Sequence, residues 1–178
     1  MRIRPLTYFM AAAFLSFLSS LFGDPIKVGD KAPDVVAISD LGENLKLSEV
    51  YAKQQYTLVY FYPKAETSGC TAQGCSLRDA YTVLQDKGVA VLGVSLDTVA
   101  AQKAFKENHK FPFTLISDPN KTVIAAFGVP TRKIPLLGEI AMRQAFLIKN
   151  GVVIWADYKA STKQQAADVL KVIAEQKS

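Results

Sequence analysis

Both cysteines of this chain fall in one short run, Phe61-Tyr62-Pro63-Lys64-Ala65-Glu66-Thr67-Ser68-Gly69-Cys70-Thr71-Ala72-Gln73-Gly74-Cys75. Cys70 follows an apolar, strand-like stretch at the point where a helix is expected to begin. The thiolate is the reactive form of cysteine, and the free N–H groups and dipole of a helix N-terminus stabilise it. Cys75 comes five residues later, close enough to capture an oxidised Cys70. If residues 70–75 are helical, five rises and about 140° of turn separate the two Cα atoms by roughly 8–9 Å, beyond the ~7 Å reach of a disulfide. The pair can therefore bond only if that turn unwinds. Such a pair suits redox chemistry with a conformational step better than a passive staple.

The elements that must carry these residues follow from pattern. Thr57–Tyr62 is nearly continuous apolar, β-branched and aromatic sequence, as in a strand buried on both faces. Leu77, Ala80, Tyr81 and Leu84 recur at helical spacing, which predicts one helix from about Ser68 to Asp86, closed by Gly88. Val89–Leu96 and Phe113–Ser117 read as further strands around a helix that Asp97 or Thr98 caps and that runs through Asn108. A short helix is expected over Asn120–Phe127, followed by a loop over Val129–Ile140. Ala145–Lys149 and Val152–Asp157 flank Asn150-Gly151, a strong two-residue hairpin signal. Ahead of these, Val35–Ile38 is a short strand and Ser48 a helix N-cap. At the end, Ser161 with Gln164 predicts a capping box. The order β-α-β-α-β-α, then hairpin and closing helix, gives an α/β domain with a central mixed sheet. With a redox cysteine after the first central strand, it resembles a thioredoxin-like architecture.

At 178 residues, 49% hydrophobic and 21% charged, the chain has the size and balance of one globular domain. Its net charge is +5, but Arg2 and Arg4 supply two of those charges and the lysines are scattered, so no nucleic-acid footprint is present. Arg2 and Arg4 precede an uncharged apolar stretch that ends in small residues, the pattern of a secretory leader. Residues 1–23 are therefore expected to direct export, with cleavage after Ser20 or Gly23, leaving residues 24–178 as the domain. The alternative is an uncleaved membrane anchor. No phosphate-binding, flavin or nicotinamide motif occurs. His109, at a helix end beside Lys110, is expected to be exposed and not to bind metal, so neither cofactor nor metal is anticipated.

The run Phe61-Tyr62-Pro63-Lys64-x-x-Thr67-x-x-Cys70-Thr71 resembles the active-site signature of the peroxiredoxins. With Cys75 it is similar to the bacterioferritin comigratory protein or peroxiredoxin Q subgroup. Gly29–Pro33, Phe113-x-Leu115-x-Ser117-Asp118 and Arg143-x-Ala145-Phe146-Leu147-Ile148 extend the likeness over most of the domain. The resemblance implies that Cys70 is the peroxidatic nucleophile and Cys75 the resolving thiol, joined in an intramolecular disulfide. It implies that Thr67 hydrogen-bonds at the thiolate and peroxide, that Pro63 shields Cys70, and that Arg143 stabilises charge there. Gln73 is expected to face solvent. The family's usual proline ahead of the Gly-Cys pair is Ser68 here, which should loosen the first helical turn.

The implied activity is reduction of hydrogen peroxide and organic hydroperoxides by a monomer recycled by a thioredoxin-like dithiol. Two rivals remain. A protein thiol–disulfide oxidoreductase would favour Cys-x-x-Cys, which is absent. A non-catalytic module retaining only the fold sits poorly with an intact Thr67, Cys70 and Arg143.

Overall fold

The computed structural model describes residues 25–176; the leader expected over residues 1–23 lies outside them. Strand β3 (Tyr56–Phe61) is buried at all six positions, as its continuous apolar sequence requires. It pairs in parallel with β4 (Val89–Ser95), which pairs in parallel with β5 (Thr114–Ser117). On its other side β3 pairs antiparallel with β8 (Gln144–Lys149), and β8 with β9 (Val152–Asp157). The Asn150-Gly151 turn between them takes φ of 52° and 73°, the two left-handed positions of a type I′ hairpin. Strands β1 (Val36–Ser39) and β2 (Asn44–Lys46) complete a seven-stranded mixed sheet of order β2-β1-β5-β4-β3-β8-β9.

Side-chain alternation along β3 divides the core. Leu58 and Tyr60 join one cluster with Cys70, Leu77, Phe105, Phe111, Phe113 and Val169. Val59 and Phe61 join the other with Leu47, Phe127 and Phe146. Helices α2 (Ser68–Asp79), α3 (Tyr81–Asp86), α4 (Val99–His109) and α6 (Gln165–Glu175) supply apolar residues to the first cluster; α1 (Leu47–Lys53) and α5 (Thr122–Ala126) supply the second.

Four local expectations are corrected. The helix expected over Ser68–Asp86 is two, broken at Ala80, whose ψ of 8° leaves the helical range. Ser48 is not an N-cap: α1 already begins at Leu47, and the Ser48 N–H donates to Asp34 Oδ1. The Ser161 hydroxyl accepts from the Gln164 N–H, as in a cap, but α6 starts only at Gln165 and has no side-chain cap. The loop expected over Val129–Ile140 holds a second, two-stranded sheet, β6 (Thr131–Ile134) with β7 (Gly138–Ala141). Its turn uses Leu136 and Gly138 at positive φ. Thr98 does cap α4, accepting from the Ala101 N–H.

Candidate active site

The chain leaves β3 at Tyr62 and turns through Pro63, half-buried, into α2. The loop is held from two sides. Asp97 Oδ2, beyond the end of β4, accepts a 2.8 Å hydrogen bond from the Ala65 N–H and a 2.7 Å bond from the Ser95 hydroxyl. Glu66, at a left-handed φ of 62°, reaches across to the end of α4, where Asn108 Nδ2 and His109 Nε2 each lie 2.9 Å from its carboxylate oxygens. Those bonds hold the Glu66 carboxyl below the usual carboxylate range, Asn108 contributing most. His109 is thus not an exposed end residue: it is half-buried, stacked on Phe111 and edge-on to Phe105.

Thr67 stands at the N-cap position with extended backbone, its carbonyl accepting from the Thr71 N–H. Its hydroxyl does not cap the helix; it donates to the Lys64 carbonyl at 2.9 Å, which leaves its lone pairs free to accept. Cys70 is the third residue of α2, with 1% of its surface exposed. Arg143, in the two-residue link between β7 and β8, donates from Nη2 to Cys70 Sγ at 3.3 Å. A Cβ at Gly69 would come 3.3 Å from that same Nη2, so the guanidinium packs closely against the helix at a residue without a side chain.

Gln73 corrects the sequence reading. It is fully buried, accepts from Arg143 Nη1 and donates to Gln165 Oε1 on α6. The spacing of the buried residues Cys70, Gln73, Gly74 and Leu77, i, i+3, i+4, i+7, marks one helix face. That periodicity was the available signal, masked because the face carries a glutamine and a glycine.

Cys75 is half-buried in the same helix and is a free thiol, as is Cys70. It adjoins Arg78, whose basicity is raised by a hydrogen bond to Asp79, Cys75 adding to the effect. Both cysteines lie within the continuous helix Ser68–Asp79, so the separation argued from helical geometry applies. Beneath them the Tyr60 hydroxyl is buried without a partner among the described residues. Burial, with Cys70 adding, pushes its phenol far up and keeps it neutral. The structure thus gathers Cys70, Arg143 and Gln73 at one point. Thr67 lies at the helix entrance, Pro63 on the approach, and Cys75 further along α2. No group of three or more His, Cys, Asp or Glu side chains converges as a metal site among the described residues.

The family model described as AhpC/TSA matches residues 28–156. The chain belongs to the AhpC/TSA family. Within it, a putative peroxiredoxin bcp of Coxiella burnetii is 44% identical over 108 residues, 61% of this chain and 70% of that one. The Bacillus subtilis peroxiredoxin Bcp is 36% identical over 152 residues, 83% of this chain and 95% of its own length. The fission yeast peroxiredoxin bcp1 and the chloroplast peroxiredoxins Q of rice and Suaeda salsa are spanned over 52% to 58% of their length. The crystal structure of peroxidoxin BcpB from Mycobacterium tuberculosis superposes with a TM-score of 0.78 at 29% identity, covering 86% of this chain and 99% of that one. The chain is therefore a peroxiredoxin of the Bcp/peroxiredoxin Q group, with the thioredoxin-like fold and thiol-dependent peroxidase activity of that family.

Proposed function

We propose that Cys70 is the peroxidatic thiol of this peroxiredoxin and Cys75 its resolving partner. The observation that carries the reading is the Cys70 sulfur, buried in the first turn of α2 with the Arg143 guanidinium 3.3 Å away. The Cys70 thiolate attacks the distal oxygen of a hydroperoxide. The O–O bond breaks, its electron pair leaves with the second oxygen, and that oxygen takes a proton as water or alcohol while Cys70 becomes a sulfenic acid. Arg143 supplies positive charge at both the sulfur and the departing oxygen, an electrostatic role fixed before the reaction. Thr67 accepts a hydrogen bond from the hydroperoxide O–H with the lone pairs that its bond to the Lys64 carbonyl leaves free. Pro63 covers the approach and keeps bulk water from the sulfur.

The Cys75 thiolate then attacks the Cys70 sulfur, forming S–S and expelling hydroxide, which is protonated to water. Because both thiols lie inside one helix, the turn between them opens for this step. A thioredoxin-like dithiol reduces the disulfide and returns both thiols. Hydrogen peroxide and organic hydroperoxides are the substrates, and no cofactor takes part. The basic and apolar leader supports export of the enzyme. The deciding experiment is peroxide consumption by Cys70→Ser with a dithiol donor. It should fall to the uncatalysed level; retention of most activity would remove Cys70 from the reaction.

A further inference from the structure

Behind the site lies a buried amide that the proposed chemistry does not use. Gln165 opens α6 with no exposed surface, and its Oε1 accepts a 2.7 Å hydrogen bond from Gln73 Nε2. Its own Nε2 meets no partner among the described residues. An unpaired buried amide donor is costly, and an apolar side chain of similar size would avoid that cost. The single bond at the other end of Gln165 is therefore its contribution.

That bond bears on Cys70 through the orientation of Gln73. A carboxamide presents an acceptor at one end and donors at the other. Only one of its two orientations turns the Gln73 oxygen toward Arg143; the flipped one would set NH₂ against guanidinium, donor against donor. Gln165 Oε1 takes the NH₂ end, so the useful orientation is held from both sides. A chain of three hydrogen bonds results, Gln165 to Gln73 to Arg143 to Cys70. We infer that Gln165 is a positioning residue that orients Gln73, and through it Arg143, for peroxide attack, and that the same bond holds the Cys70–Cys75 turn closed. Gln73 lies within that turn, so opening it for the disulfide breaks the bond to α6. The tighter the bond, the longer the sulfenate stays in the closed site. There a second hydroperoxide can transfer its distal oxygen, breaking its O–O bond to leave sulfinate and water or alcohol.

This inference rests on Cys70 being the peroxidatic thiol, and one experiment separates the two. Protein is mixed with peroxide, quenched over time, and its thiol, disulfide and sulfinic forms are counted by mass spectrometry. Gln165→Leu should lose thiol about three- to tenfold more slowly, the size of one net hydrogen bond. It should also pass faster from sulfenic acid to disulfide and collect less sulfinic acid at equal peroxide. Gln165→Glu keeps the acceptor oxygen and should lose thiol faster than the leucine variant. Ser76→Ala removes the other bond between α2 and α6, where Ser76 Oγ accepts from the Ala166 N–H, without touching Gln73; it should react at the parent rate. The inference is overturned if Gln165→Leu loses thiol at the parent rate, if Gln165→Glu is no faster than Gln165→Leu, or if Ser76→Ala is slowed as much. Peroxide consumption surviving in Cys70→Ser would instead overturn the assignment beneath it.

Discussion

Gly74, midway between the key residues of α2, offers a test of how tightly the closed helix is packed. A Cβ placed there would overlap Phe111 Cζ and come 2.9 Å from its Cε1. The ring has little room to retreat: Phe111 is stacked on Phe113 at 5.3 Å and meets Phe105 edge-on at 5.0 Å. Gly74→Ala gains about 1 kcal/mol of helix propensity and suffers overpacking of about 1–3 kcal/mol. An overlap with the ring itself falls at the upper end, so the reduced protein should lose about 2 kcal/mol net. Urea unfolding of the reduced form measures this directly. If the proposed disulfide opens the turn, the clash is relieved in the oxidised form, so the disulfide should become more favourable, shifting the reduction potential by about 40 mV to more negative values. Shortening the ring with Phe111→Leu in the Gly74→Ala background should recover stability, with a coupling of at least ~0.5 kcal/mol in the double-mutant cycle. Unchanged or increased stability in Gly74→Ala would refute the steric argument. A stability loss without a shift in potential would mean that the turn does not open on oxidation.

Arg143→Ala should leave the fold intact and slow peroxide attack by roughly a hundred- to thousandfold, the range for removing a preorganised charge donor; an unchanged second-order rate removes it from the site. Amide hydrogen exchange across residues 68–80 should be faster in the disulfide form than in the dithiol form, and equal protection would contradict the opening of the turn. The lowered folded pKa of Glu66 means that its bonds to Asn108 and His109 contribute stability above the ordinary glutamate pKa of about 4.3, lost as pH falls through the lower folded value. The stability difference between the parent and Glu66→Gln should therefore shrink on acidification over that range, and a difference independent of pH would deny the clasp.

The parts of the site legible in the sequence were those set by local chemistry. The apolar run of β3, the helix entry at Cys70 and the Asn150-Gly151 turn each announce themselves within a few residues. Gln73 was misread because its environment comes from α6, 92 positions along the chain, and from an arginine 70 positions away. No local rule buries a glutamine; only the docking of those two segments does. His109 was misread for the same reason, since its carboxylate partner lies 43 residues back in the loop before Cys70. The hairpin β6–β7 escaped notice because β6 is mostly polar and exposed at its centre, while β7 buries two successive residues, Ile140 and Ala141, so neither shows the alternation that betrays a half-buried strand.

The near-complete burial of Cys70 has a consequence for which molecules it can ever meet. With 1% of its surface open, the sulfur in the closed helix is out of reach of a group carried on another protein's surface. If Cys70 is the nucleophile, protein-borne thiols and disulfides do not reach it while the helix is closed. In the proposed cycle the sulfur becomes reachable by a macromolecule only after peroxide attack and opening of the helix, when it is already paired with Cys75. In that cycle oxidant and reductant meet the same atom in turn, never together, and the change of partner is made by the helix itself.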